Sequence, residues 1–293
     1  TSLGYVGIGT SSPASRLDIT NSATSSAIIT LRDVIGNVSL EIRAGTSTLR
    51  NTFVGKNAGL VNSTGLDNTF LGVDAGIVNT TGFSNTLIGA GAGVSSSGLG
   101  SNNTQIGQEA GRYNGGNGNV LVGVRSGDQG GGDDNTFLGN YAGYYNGGGS
   151  NVGIGRTAMA YNTDSSGVYN IGLGNFSGLL QTGGSNNIFL GASTTVASTT
   201  GSNQLSIGNL IYGTGLGQVN KKVGIGTATT TSLLTLSNNN DISSELAQIT
   251  LNEESNDQFS AGDLFFTRNN FATSRRMGRI NFDTVAIIDA FID

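Results

Sequence analysis

The sequence predicts an all-β protein, built as a parallel β-solenoid or β-roll of about ten coils of 16–19 residues each. Three observations support this fold: a motif that recurs along residues 51–212, a high glycine content and the lack of a helical period. The motif reads "NTFVGKNAG" at 51–59, "NTFLGVDAG" at 68–76 and "NTLIGAGAG" at 85–93. Glycine supplies 49 residues, and each would cost about 1 kcal/mol in a helix interior.

One glycine, here called the anchor glycine, marks each repeat because it follows an aliphatic residue. That aliphatic residue is present in all ten repeats, so we expect its column to be buried inside the coil. A small residue follows three positions after the anchor, usually with a second glycine that indicates a tight corner with positive φ. The anchors are Gly55, Gly72, Gly89, Gly107, Gly123, Gly139, Gly155, Gly174, Gly191 and Gly208, and the aliphatic residues are Val54, Leu71, Ile88, Ile106, Val122, Leu138, Ile154, Leu173, Leu190 and Ile207.

Asparagine stands four residues before the anchor in nine of the ten repeats, beginning with Asn51, Asn68 and Asn85; the tenth unit slips to Asn203. Asparagine tolerates left-handed turns and bonds its own backbone. Stacked amides can also bond each other as a ladder. Each unit is therefore predicted as strand, glycine corner, short strand and polar turn. At about 4.8 Å per coil, ten coils would form a rod of roughly 50 Å.

A second apolar column lies two residues before the anchor, for example at Phe53, Phe70 and Leu87. Adjacent residues of a strand point to opposite faces, so several coils are apolar on both faces. A lone solenoid would leave one of these faces in water. Lateral association between subunits would cover it.

Two resemblances to known families refine this expectation. The pattern "N-T-x-Φ-G-x-x-A-G" resembles the coil repeats in the heads of trimeric autotransporter adhesins, which form a trimeric parallel β-roll, although those repeats are usually shorter and strictly spaced. The stretches "YVGIGTSSPASRLDI" at 5–19 and "KVGIGTATTTSLLTL" at 222–236 resemble an element of phage tail-fibre and related surface-fibre proteins. In those proteins it commonly precedes further fibre modules or a self-cleaving chaperone. The resemblances imply a rod-like homotrimer that joins adjoining fibre modules.

Three regions are predicted: a β module at 1–50, the solenoid rod at 51–212 and a second β module at 213–293. The modules are related, since "SSAIITL" at 25–31 answers "ELAQITL" at 245–251. We expect them to cap the rod, because an open solenoid end exposes unpaired strand edges. The chain has no initiator Met, so we also expect a fragment or a processed chain.

Composition argues against several classes of function. The net charge of −5 disfavours nucleic acid, which needs clustered Lys and Arg. No run of 18 apolar residues is present, so no membrane insertion is expected. Cys and His are absent, which removes most metal and nucleophile chemistry. We therefore expect no cofactor, no metal and no enzymatic activity.

A tyrosine strip is the candidate binding site. Tyr113, Tyr145 and Tyr161 share the column six residues after the anchor, and Tyr144 lies beside them. An aromatic face packs on the apolar face of a pyranose, which suggests a cell-surface glycan as ligand. Packing between subunits explains the column better than a sugar platform does, because Val and Leu occupy it in other coils.

Two further patterns keep other functions open. A group of aspartates at 128–134 could form a hard-cation site or a glycosidase pair, although a solvated turn explains it better. A partial threonine column is of the kind that binds ice, yet threonine is also a good strand residue. The aspartates are Asp128, Asp133 and Asp134, and the threonines are Thr52, Thr69, Thr86, Thr104 and Thr136.

We therefore expect a non-enzymatic structural and receptor-binding fibre. It would lie outside the cell, as a phage tail fibre on a virion or a similar appendage, and would bind a surface glycan or receptor. Three weak copies of one strip would gain avidity through effective concentration. A bacterial surface adhesin or stalk, an ice-binding solenoid and a tailspike glycan hydrolase remain the alternatives.

Overall fold

The computed structural model describes residues 5–19, 29–32, 35, 38–44, 49–95, 98–161, 167–216, 221–230 and 233–236. Within these ranges it contains strands and turns and no helix, and it confirms the predicted all-β parallel solenoid. All the described strands belong to one compact unit, Thr1–Ala247. The second unit, Gln248–Asp293, lies outside the described residues, as does the whole stretch 245–251 that corresponds to 25–31.

The strands are short, mostly three or four residues. In chain order they are β1 (Val6–Ile8), β2 (Leu17–Ile19), β3 (Ile29–Arg32), β4 (Val38–Ala44), β5 (Thr52–Val54), β6 (Thr69–Leu71), β7 (Thr86–Ile88), β8 (Thr104–Ile106), β9 (Val120–Val122), β10 (Thr136–Leu138), β11 (Val152–Ile154), β12 (Ile171–Leu173), β13 (Ile188–Leu190), β14 (Gln204–Ile207), β15 (Ile211–Thr214), β16 (Lys222–Ile225) and β17 (Leu234–Leu236).

Ten of these strands, β5 to β14, stack in parallel and in register, so equivalent residues of successive repeats are neighbours. Nine coils link the ten strands. The tenth predicted unit contributes its strand but no further coil, because the chain reverses after β14 and β15 runs antiparallel to it. Gln204, and not Asn203, takes the asparagine place, since its backbone N–H donates to Asn187 Oδ1 at 2.9 Å.

The inner face of the coils carries the residue two before the anchor glycine. Phe53 is 5% exposed, and Phe70 and Leu87 are fully buried. The rings of Phe53 and Phe70 stack with their centroids 4.8 Å apart, which is the spacing of neighbouring strands. Small residues such as Ala58 and Ala75 close the core from the opposite side, again fully buried. The core is therefore a single file of stacked side chains.

The predicted interior position of the aliphatic column is wrong. Val54, Leu71, Ile88, Ile106 and Leu138 lie on the outer face, where Leu71 is 46% and Leu138 37% exposed and the other three are half-buried. Alternation along the strand is the physical reason. The buried asparagine that begins each strand shares a face with the residue two positions later, so the aliphatic residue next to the anchor points outward.

Each buried asparagine ties three pieces of backbone together. The amide oxygen of Asn51 accepts the backbone N–H of Asn68 at 2.8 Å, and its Nδ2 donates to the carbonyl of Gly65 at 2.7 Å. The same two bonds recur at Asn68 and at Asn85. The ladder therefore joins each side chain to the backbone of the next coil and to the closing loop of its own coil. The described asparagines of this column do not bond amide to amide, as the sequence suggested, although at the last rung Gln204 Nε2 donates to Asn187 Oδ1 at 3.5 Å.

The anchor glycine makes the corner after each strand. Gly55, Gly72 and Gly89 have φ between 136° and 142°, which L side chains rarely adopt. A Cβ added to any of them would come within 2.6 Å of the carbonyl carbon of the next anchor glycine. Both conformation and stacking distance exclude a side chain here.

Two coils lack a large side chain in the inner column, and a side chain from another position of the coil fills the space. Gly153 and Gly172 replace the aromatic residue in two successive coils. Met159 fills the space, since its side chain lies against Gly172 and is fully buried between Phe137 and Phe189. Met159 stands where most coils have their second glycine, with φ 54°. Methionine suits this role because its flexible chain fills irregular gaps.

Both ends of the stack are covered by antiparallel strands and by a side-chain acceptor. At the first coil β4 pairs with β5, and Glu41 Oε2 accepts the N–H of Asn57 at 3.1 Å, a bond that a preceding coil supplies elsewhere. At the last coil Asn209 accepts from the N–H of Thr195 and donates to the carbonyl of Ser193, both at 2.9 Å. Unpaired edges are thereby removed from the described ends of the parallel stack.

The two "VGIGT" stretches form the same local pairing. In the first, β1 runs parallel to β2, with Val6 opposite Leu17. In the second, β16 runs parallel to β17, with Val223 opposite Leu234. The separation between partners is identical, which explains why the leucine in the pattern stands at a fixed distance from the valine. The boundaries of the predicted end modules stay a prediction.

We predict that Gln105→Leu stabilises the solenoid. Gln105 sits in the inner column between Leu87 and Leu121, is fully buried, and neither its Nε2 nor its Oε1 has a hydrogen-bond partner. Replacing an unsatisfied amide by a leucine of similar volume should raise the free energy of unfolding by about 1–3 kcal/mol. Urea denaturation at fixed protein concentration measures this, with Leu87→Gln as the destabilising control. An unchanged or lowered stability of Gln105→Leu would refute the packing described here.

Candidate functional site

The predicted tyrosines lie along one edge of successive coils. Tyr113, Tyr145 and Tyr161 are 43%, 37% and 45% exposed, and Gln129 occupies the position between the first two. The rings of Tyr145 and Tyr161 are stacked, with centroids 5.7 Å apart and an interplanar angle of 26°. Tyr144 meets Tyr145 edge to face at 4.5 Å. The structure therefore brings Tyr144, Tyr145 and Tyr161 into one aromatic surface, with Tyr113 at its far end.

Backbone bonds between coils hold this surface in place. The N–H of Tyr145 donates to Ala160 at 2.7 Å, and that of Tyr113 donates to Asp128 at 2.7 Å. Arg112 lies over the Tyr113 ring with its guanidinium carbon 4.9 Å from the centroid. The tyrosines are thus fixed on rigid coils, so a flat ligand would meet preorganised rings.

Sequence analysis missed one member of the aromatic surface. Tyr141 contacts Tyr144 with centroids 5.3 Å apart, and it holds a left-handed φ of 58°. The two residues are three apart in the turn that follows the anchor glycine. A count of the column two residues after the anchor would have found Tyr141.

A group of four charged residues, here called the charge cluster, borders the tyrosines on the side of the earlier coils. Glu109 accepts from Arg125 at 2.6 Å and pairs with Arg112 at 3.2 Å, and Asp128 lies 3.9 Å from Arg125. The bond to Glu109 raises the pKa of Arg125. These four residues belong to two adjacent coils, at the positions two and five residues after the anchor.

Asp128 is the unusual member of the charge cluster. Its residue is only 1% exposed, and its Oδ1 has no hydrogen-bond partner. Burial raises the pKa of Asp128 to about 6, against the opposing attraction of Arg125 and Arg112. Burial, and then the negative charge of Asp128, raise the pKa of the Tyr144 hydroxyl. A protonated and an ionised form of Asp128 are therefore both accessible near neutral pH.

The three predicted aspartates have different surroundings. Asp128 is buried against Arg125, whereas Asp133 and Asp134 are exposed, and Asp133 accepts the N–H of Asn117 at 2.7 Å. No group of three His, Cys, Asp or Glu among the described residues could hold a metal ion. The described residues also include no helix that could serve as a membrane span. The sequence also contains a small basic run, Arg275, Arg276 and Arg279, which is typical of a solvated edge and lies outside the described residues.

We predict that Asp128→Asn stabilises the protein at pH 7 and removes a pH-dependent contribution. A folded-state pKa above the unfolded value means that Asp128 favours folding below about pH 4, and that this contribution is lost as the pH rises to about 6. The gain of Asp128→Asn over wild type should therefore grow across this range and reach about 3 kcal/mol. Urea denaturation at several pH values measures it. The exposed Asp134→Asn is the control, and a gain that does not change with pH would contradict the burial of the charge.

Comparison of the chain with models of known protein families, with curated proteins and with solved structures finds no match. The features that bear on function are therefore those of the chain itself. They are the aromatic surface of Tyr141, Tyr144, Tyr145 and Tyr161, the charge cluster beside it, and the exposed aliphatic column of the outer face.

Proposed function

We propose that the chain is a structural and receptor-binding subunit of an extracellular fibre, which assembles as a homotrimer and carries out no chemistry. One observation supports this most strongly. The outer column next to the anchor glycine is aliphatic in all ten repeats although its members are exposed or half-buried on the single chain, whereas the inner column admits Gln105, Gly153, Gly172 and Ser206. A side chain that faces water has no reason to be more uniformly apolar than the core, so another surface covers it.

The outer face is large enough for a stable contact. It consists of two side chains from each strand β5 to β14: the residue next to the anchor and the one two positions earlier. The exposed aliphatic members range from 36% for Ile171 to 46% for Leu71. The face runs along ten stacked strands, which at about 4.8 Å each span roughly 45 Å, so a partner can contact it along the whole parallel stack.

A second copy of the chain is the occupant that fits this face best. The face is a straight parallel ladder without a charged side chain in any of its twenty positions. Another copy would offer a surface of the same length and period. The count of three follows from the resemblance to trimeric β-roll heads and to tail-fibre elements, with a bacterial adhesin or stalk as the nearest variant.

The aromatic surface would then carry the attachment. It lies beyond the glycine corner, on turn residues that do not belong to the outer face, so assembly through the outer face leaves it accessible. Three copies of the surface on one fibre would bind a dense glycan coat through effective concentration, even where one copy binds weakly.

Ice binding is a second candidate function, favoured by one specific feature. Thr52, Thr69, Thr86 and Thr104 stand in register on the outer face of four successive strands. This function needs the face to be open to water. A monomer of 29.7 kDa that produces thermal hysteresis would favour it over the fibre.

We predict that the purified chain sediments near three times 29.7 kDa and that charges on the outer face dissociate it. Leu71→Lys combined with Leu138→Lys should shift the mass towards the monomer, because two lysines per copy would be desolvated in the interface. Val73→Lys combined with Val124→Lys is the matched control, since these residues are 46% and 39% exposed but follow the glycine corner. A wild-type monomer, or trimers from both variants, would overturn the proposed interface.

We predict that Tyr145→Ala combined with Tyr161→Ala abolishes binding to the recognised sugars on a glycan array. Loss of two stacked rings removes the apolar platform while the backbone bonds remain. Tyr169→Asn is the control, because Tyr169 is 62% exposed outside the strip and Asn102 and Asn186 occupy the equivalent position with a similar φ. Unchanged binding by the double variant would exclude the strip without affecting the predicted mass.

A further inference from the structure

The corner of the third coil differs from the corner of every other coil. Two residues after the anchor, each of the other coils carries a side chain at left-handed φ; these residues are Asn57, Asp74, Glu109, Arg125, Tyr141, Thr157, Phe176 and Ser193. The third coil has Gly91 instead, with φ 67°. A Cβ added there would meet only Glu109 Cγ, at 3.5 Å, so the place is open.

The missing side chain leaves a notch of about 420 Å³ between Asp74 and Glu109. Its apolar lining comes from Val73, Ile77 and Val94. This volume lies within the range of about 300–1,000 Å³ that is usual for small-ligand sites.

The polar rim of the notch offers both acceptors and donors. Asp74 receives one bond, from Asn57 Nδ2 at 2.9 Å, and forms no ion pair among the described residues. Glu109, on the other side, is fixed by Arg125 and Arg112, and Arg112 also lines the notch together with the amide of Gln108. A ligand that carries hydroxyl groups around an apolar ring matches this lining, because hydroxyls donate to carboxylates and accept from amides and guanidinium groups.

The backbone N–H groups that border the notch already have hydrogen-bond partners. The N–H groups of Asp74, Gly91 and Glu109 each donate to the preceding coil at 2.9 Å. An extended peptide that adds to a sheet edge needs free backbone groups, so the notch does not suit it.

We propose that the notch at Gly91 is a saccharide subsite that holds one pyranose ring, with its apolar face on Val73, Ile77 and Val94 and its hydroxyls on Asp74, Glu109 and Arg112. This proposal deepens the receptor-binding function and rests on it for the source of the sugar, which is the glycan of the attached surface. The charge cluster lies between the notch and the aromatic surface. The notch and the aromatic surface would then bind different sugar units of one glycan chain.

Methyl NMR of the full chain with labelled Ile and Val tests the subsite, with glucose, galactose and N-acetylglucosamine as separate probes. At least one sugar should shift the methyl signals of Val73, Ile77 and Val94 in a saturable way. Gly91→Tyr fills the notch with the residue that the sixth coil carries at Tyr141, and should weaken this binding by at least about tenfold. Ser193→Tyr, the same change at the equivalent place of the ninth coil, should leave it unchanged.

Absence of any methyl shift at the notch with all three sugars would overturn the proposal, as would equal binding by Gly91→Tyr and wild type. If Gly91→Tyr fails to fold, the methyl map of the wild-type protein decides alone. Sedimentation and the Tyr145 and Tyr161 variants report on the fibre separately, so a failed subsite and a failed fibre give different results.

Discussion

Closure of each coil onto the one before it is the constraint on which the rest of the structure depends. The chain must return to the same register after 16 to 19 residues, and nothing in a three-residue strand enforces that by itself. The buried asparagine does so, because its side chain holds the backbone of the next coil on one side and the closing loop on the other. Asparagine and glycine are therefore kept at each corner while the length of the loop drifts.

This constraint also decides which residues face inward, and here the sequence was misleading. The column beside the anchor glycine is the more regular one, so regularity suggested burial. The asparagine decides which residues of the strand point inward, because its side chain must be buried to make its hydrogen bonds. Phe53 and its equivalents lie two residues later, so they point to the same side and are buried as well. The stack of coils and its period were predictable from the spacing of the motif. Alternation counted from Asn51 would have predicted which side chains of each strand are buried.

Other features needed coordinates because they depend on contacts between coils. Met159 replaces two missing aromatic residues from a different column, and Gln105 interrupts the core without a partner. The tyrosine strip followed from simple counting, since Tyr145 and Tyr161 are one coil apart. Asp128 did not, because its burial arises from the turns of the neighbouring coils, and the sequence grouped it with Asp133 and Asp134 only by proximity along the chain.

The feature on which the proposed fibre depends is the outer column next to the anchor glycine, which is aliphatic in every repeat of a solenoid with covered ends. Solvent paramagnetic relaxation of methyl groups in the assembled protein tests it most directly. If copies of the chain cover the outer face, Leu71, Leu138 and Ile154 will be as protected as the buried Leu121. If the face is open, their relaxation will approach that of Leu180, which is 57% exposed on the single chain, and the fibre interface proposed here will be wrong.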